Sequence, residues 1–178
     1  QMTAPVTWSF TTSGPASSIW DNNATPAVAS QSDTQPVELG LKFRSALDGY
    51  ITGIRFYKGP NNPGPHVGRL WTSTGQLLAS VTFTGETASG WQQALFPSPV
   101  PIKANTTYIA SYFAPNGGYA VTQGYFATTG ADNYPLHALK DGVDGGNGVY
   151  RYGGGFPVNS YQASNYWVDV VFSLTATD

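Results

Sequence analysis

The stretch "VELGLKF", residues 37–43, decides the fold class. Val37, Leu39, Leu41 and Phe43 alternate with Glu38, Gly40 and Lys42, the two-residue period of a strand with one face in a core and the other toward water. The theme repeats downstream. "ITGIRFYKG" (51–59), "VGRLWTS" (67–73), "LLASVTFTG" (77–85), "GWQQALF" (90–96), "TTYIASYFA" (106–114) and "YWVDVVFSL" (166–174) are short apolar runs separated by turn residues. In the third of these, Leu77, Ala79, Val81 and Phe83 share a face. In the last, Tyr166, Val168, Val170 and Phe172 line one face and Trp167, Asp169 and Val171 the other. Seven or more strands at this spacing predict an all-β, two-sheet antiparallel β-sandwich, jelly-roll or immunoglobulin-like, with long loops.

Composition agrees. Charged residues make up 10% of the chain and aromatics 14%, with 21 glycines and 13 prolines, a profile poor in helix formers and rich in turn formers. At 178 residues a single domain buries roughly 70% of its unfolded surface. A formal charge of −2, with basic residues scattered singly from Lys42 to Arg151, provides no footprint for nucleic acid. The absence of cysteine excludes disulfides, thiolate metal sites and a catalytic thiol. No apolar run approaches the roughly 18 residues of a membrane span, so membrane insertion is not expected. No leader is visible, and the chain reads as a mature or excised domain.

Two connections, "KGPNNPGPHVG" (58–68) and "FPSPVPIKANTT" (96–107), read as proline-rich loops. Residues 1–17 are expected to form a peripheral strand or tail, with "VTWSFTT" (6–12) as the strand, and 18–36 a loop tacked down by Trp20. The segment from Gly117 to Asn165 holds few alternating runs and many glycines. It is too long for a bare loop, which makes it a functional or partly ordered element.

The strings "PVELGLKFRSALDGYITGIRFYKGP", "HVGRLWTSTGQLLASVTFTGETASGWQQALF", "ANTTYIASYFAPNGGYA" and "YPLHALKDGVDGGNGVYRYGGGFPVNSYQASNYWVDVVF" together resemble the domain-of-unknown-function family numbered 4082. The resemblance runs from about Ser18 to Leu174. It implies a bacterial β-sandwich module, secreted or at the cell surface, covalently joined to immunoglobulin-like modules or to catalytic domains of extracellular enzymes. It carries no chemistry, so function rests on the residues.

The run "DGVDGGNGVYRYGGGFP" (141–157) is the first candidate. Asp141, Asp144 and Asn147 are three oxygen ligands spaced three apart in a glycine-rich loop, the kind of donor set that a structural calcium takes. Asx-turns bonding their own backbone are the alternative. A second calcium option ties the N-terminal loop to a sheet through Asp21, Asp33 or Glu38, with Asp169 in reach. Glu38 and Asp169 read equally as ordinary strand residues. His66 and His137 with one carboxylate suggest zinc or copper, or a hydrogen-bonding role in a ligand cleft.

Among 5 Trp and 11 Tyr, most belong to core or sheet faces. Trp71, Tyr112, Tyr150 and Tyr152 stand out because each borders a loop holding His66, Asn116, His137 or Asp141. Flat aromatic faces with neighbouring polar groups suit a sugar ring. A glycosidase pair could be written as Asp141 with Asp144 or Glu38 with Asp169, but no G-x-S-x-G, H-E-x-x-H or phosphate loop occurs. The sequence therefore predicts a non-catalytic module that binds polysaccharide or oligosaccharide. Its expected cleft consists of His66, Trp71, Tyr112, Asn116, His137, Tyr150 and Tyr152, with Tyr150 and Tyr152 turned toward ligand on a structured rim. A structural or adhesive spacer that binds a cation or a protein, and an enzyme, are the competing classes.

Overall fold

A computed structural model of the chain describes residues 16–176; the expected strand at 6–12 lies outside the described residues. Among the described residues there are eleven strands and no helix, hence none long and apolar enough to cross a membrane. The strands are β1 (Val37–Ser45), β2 (Gly49–Lys58), β3 (Val67–Thr72), β4 (Leu77–Thr82), β5 (Gly90–Ile102), β6 (Tyr108–Ala114), β7 (Ala131–Asn133), β8 (Leu136–Ala138), β9 (Val149–Tyr152), β10 (Asn159–Ser160) and β11 (Val168–Ser173). They form a two-sheet antiparallel sandwich. The large sheet runs β10-β9-β1-β6-β3-β4, with β8 also on β1 and β7 on β8; the small one runs β11-β2-β5.

All seven runs expected from their alternation are strands. In β1 the odd residues Val37, Leu39, Leu41 and Phe43 enter the core between the sheets. In β2 a bulge between Ile51 and Gly53 resets the period, so Ile51, Ile54 and Phe56 are all fully buried. The two sheets meet where Phe56 of β2 stacks on Tyr112 of β6, ring centroids 4.1 Å apart and 17° from parallel. Gly68 of β3 allows this approach, since a Cβ there would stand 2.9 Å from that of Ile54. A register shift between Leu70 and Trp71 turns Leu77 out to solvent and seats Leu78 against the core, a departure from the expected face.

Residues 96–102 are not a loop. They continue β5, with Pro97, Pro99 and Pro101 at alternate positions. β5 is an edge strand, so prolines spaced by two can turn their missing N–H groups away from β2, where no ladder bond is lost.

The outer face of the small sheet is closed by residues 19–24. Trp20 is buried there, 5.8 Å from the Trp167 ring, and Trp167 also packs against Tyr57, Trp91 and Tyr125. Asp169 of β11 holds the segment. Its carboxylate accepts N–H bonds from Ile19 at 2.8 Å, Trp20 at 3.1 Å and Val170 at 2.7 Å, and lies 3.7 Å from the Arg55 guanidinium. Asp169→Ala strands these donors and the buried cation together, and should cost about 3–5 kcal/mol. Chemical denaturation of the two proteins checks this; a loss under about 1 kcal/mol would mean the clamp is not needed.

Candidate functional site

The glycine-rich run from Asp141 divides into three parts with different tasks. β1 bonds to β6 along one edge. Along the other it bonds to β9 through residues 37–40 and to β8 through residues 43–45, which leaves a gap at Lys42. The Asn147 side chain fills it. The Lys42 N–H donates to Asn147 Oδ1 at 2.9 Å, and Asn147 Nδ2 donates to the carbonyls of Lys42 at 3.1 Å and Leu139 at 2.6 Å. One amide thus stands in for a missing strand residue.

The calcium trio expected here does not converge. Asp141 Oδ1 accepts the Asn147 N–H at 2.9 Å as an Asx-type cap. Asp144 turns to Thr107 and Arg44, and the Thr107 hydroxyl first, then Lys42 and Arg44, hold its carboxyl below the ordinary range. Among the described residues no three histidine or carboxylate side chains are grouped to hold a metal.

Gly153 to Phe156 then fold back over the outer face of the large sheet. There Phe156 meets Trp71, ring centroids 5.6 Å apart, beside Ile109 and Val149. Trp71 is therefore buried, its indole N–H donating to Ser111 Oγ at 2.8 Å, and does not face a cleft. Ser111 in turn donates to Glu38 at 2.6 Å, and Arg69 closes the pair. Burial pushes the Glu38 carboxyl up to about 7, against Ser111, Arg69 and the Gly155 N–H. Burial likewise lifts Asp169 to about 6. Glu38 and Asp169 stand on the outer faces of different sheets, so they form neither a calcium site nor a catalytic pair. Asp21 caps its own turn through the N–H groups of Asn23 and Ala24.

His66 and Tyr112, expected in the cleft, are both wholly buried and do not face one. Ring atom Nδ1 of His66 lies 2.8 Å from Glu86, itself paired with Lys58, and Nε2 lies 2.8 Å from Asn62, whose amide donates to the Tyr112 hydroxyl. Burial pulls the imidazole below its ordinary value, with Glu86 opposing. This network seals one end of the core. His137 is held by a different carboxylate, Asp132 at 2.7 Å, so the two histidines share no metal. Asn116 is exposed and donates to the Pro63 carbonyl.

Tyr150 and Tyr152 fare differently. On β9 they sit opposite Leu39 and Val37 of β1, on the core-facing side. There they line a cavity of about 200 Å³ with Val37, Leu39, Tyr119, Tyr161 and Tyr166. Successive rings stand nearly perpendicular: Tyr119 to Tyr166 at 79°, Tyr166 to Tyr150 at 71° and Tyr150 to Tyr152 at 76°, with centroids 5.8, 6.3 and 5.7 Å apart. Asp33 anchors the rim. The Tyr152 hydroxyl donates to its carboxylate at 2.6 Å and the Tyr119 hydroxyl at 3.5 Å. That bond pushes Tyr152 up to about 12, and burial raises Tyr119 and Tyr166, so these phenols keep their protons at neutral pH.

Sequence reasoning missed Tyr119, Tyr161, Tyr166 and Asp33 as members of one site. Tyr166 carries a signal in its place on the core face of the last alternating run, and Asp33 stands in the sequence only as a calcium option.

The family model described as a domain of unknown function, DUF4082, matches residues 23–168. The chain belongs to this family. Every residue lining the tyrosine cavity, and Asp33 at its rim, falls within the matched span of DUF4082. No curated protein matches the chain.

Two outcomes follow for the groups around β1. Asn147→Ala should cost about 2–4 kcal/mol through orphaned backbone groups, by the same amount in calcium and in chelator; a cost that vanishes in chelator would make Asn147 a metal ligand. Glu38 titrates at 4.5 when unperturbed and at about 7 when folded. Between those values the folded state keeps a proton that the unfolded chain has released, so this contribution declines as pH rises through the window. Glu38→Gln should flatten the fall in thermal midpoint from about pH 5 to about pH 7; an unchanged slope contradicts the assignment.

Proposed function

We propose that this domain is a non-catalytic carbohydrate-binding module of a secreted or cell-surface bacterial protein, and that the tyrosine cavity is its sugar site. The observation carrying this reading is the convergence of five tyrosines on one cavity of about 200 Å³. That volume is below the roughly 300 Å³ at the small end of drug-sized sites, so the occupant is a single ring or group and not an extended chain. Phenols provide apolar ring surface together with hydrogen-bonding hydroxyls, the combination a pyranose ring requires.

The supports are rigid. Val37 and Leu39 at the base of the cavity belong to β1, which is bonded along both edges. A site that changes little on binding loses less entropy to ordering. Neighbouring domains in the full-length protein would supply any chemistry, with this module holding them on their polysaccharide.

The test is polysaccharide pull-down followed by calorimetry on the isolated domain, repeated with calcium and with chelator. Tyr152 and Tyr161 are 47% and 51% exposed, so Tyr152→Ala and Tyr161→Ala should leave the thermal midpoint nearly unchanged. Each should weaken glycan binding by about tenfold or more. A folded domain that retains no glycan in either condition removes the reading in favour of a spacer.

A further inference from the structure

We propose that the cavity selects a sugar that carries an ammonium group, a protonated or methylated amine, over its neutral counterpart. This rests on the cavity being the glycan site and narrows its ligand.

The ring arrangement is the first ground. Tyr119, Tyr166, Tyr150 and Tyr152 follow one another at 71–79° in edge-to-face contacts, and all four line the cavity. Aromatic surface carries the negative lobe of the ring quadrupole, so a cluster of rings around one small volume favours a cation there. Tyr161, more exposed, completes the lining.

Hydrogen-bond polarity is the second. A phenol has one proton to give. Tyr152 and Tyr119 direct theirs to Asp33, which leaves their oxygens as acceptors only. An ammonium group is donor only, and matches them. A neutral hydroxyl gains less at these two oxygens, which accept but have no proton to offer it.

Charge is the third. Asp33 places a carboxylate behind the phenols at the rim, and among the described residues no lysine, arginine or histidine lines the cavity. The cations nearest in sequence alternate to the other side of the sheet: Arg151 lies between Tyr150 and Tyr152 on β9, and Lys42 and Arg44 share the even face of β1 with Glu38.

The experiment titrates the purified domain at about pH 6 with a glucosamine oligomer, its N-acetylated counterpart and a neutral glucose oligomer, and separately with tetramethylammonium followed by tyrosine ring NMR. The glucosamine oligomer should bind about tenfold tighter than the N-acetylated one. Asp33→Asn, which keeps the oxygen that accepts the Gln35 N–H, should abolish most of that preference while neutral oligomers bind as before. Neutral oligomers binding as tightly as the amine overturn ammonium selection and leave the glycan reading standing. Tetramethylammonium shifting the cavity tyrosines with no oligomer bound removes the glycan reading and, with it, the selection of an amino sugar, leaving a site for a bare ammonium ligand. A preference for the amine that survives both Asp33→Asn and Tyr150→Ala puts the cation elsewhere and overturns the proposal, as does a domain that binds neither sugar nor tetramethylammonium.

Discussion

Strand β1 is the constraint on which the rest of this domain depends. Its backbone is bonded on one edge to β6 and on the other to β9 and β8, with the Asn147 amide bridging the interval at Lys42. Its odd side chains enter the core, and its even face lies under the strap that carries Phe156 and Pro157. Gly40 shows how tight that cover is, since a Cβ there would meet the Ala110 carbonyl at 3.0 Å and the Pro157 ring at 3.2 Å. A strand fixed on both edges and both faces has one register available to it. Because β9 is paired to β1 by that register, Tyr150 and Tyr152 come to stand over Leu39 and Val37, and the cavity follows.

The two wholly buried carboxylates, Glu38 and Asp169, sit away from this cavity, on the outer faces of the two sheets. Glu38 with Arg69 and Ser111 secures the large sheet, and Asp169 with Arg55 ties the N-terminal segment to the small one. Such groups contribute chiefly by leaving no alternative arrangement in which they are satisfied, and removing one partner is costly. The cavity, in contrast, is built from phenols around an apolar base; among the described residues no charged side chain lines it, and Asp33 adjoins its rim. The division separates what holds the fold from what is open to a ligand.

The β-sandwich was legible because its strongest signal is local. Alternation in "VELGLKF" and six similar runs reports which face is buried without reference to any partner. Composition misled where pairing decides: the prolines from Pro97 to Pro101 read as a loop until β5 is known to be an edge strand. The site was less legible. Histidine and tryptophan beside loops read as cleft residues, yet His66 and Trp71 are buried because Glu86 with Asn62, and Ser111, satisfy their ring nitrogens. Tyr119, Tyr161 and Tyr166 join Tyr150 and Tyr152 from across residues 119–166, for which a single chain of residues carries no local pattern. Asn147 reads in sequence as a calcium ligand or a turn residue, whereas its amide bonds Lys42 and Leu139 and completes the sheet; the two roles look alike in sequence.

The central claim is that the tyrosine cavity beside β1 and β9 receives the ligand. The most direct measurement is NMR of the domain with ring-labelled tyrosine during titration with a bound oligosaccharide. The Tyr119, Tyr150, Tyr152, Tyr161 and Tyr166 rings should shift together with one affinity, while buried Tyr108 and Tyr112 stay in place. Saturable binding that leaves those five rings unmoved would contradict it.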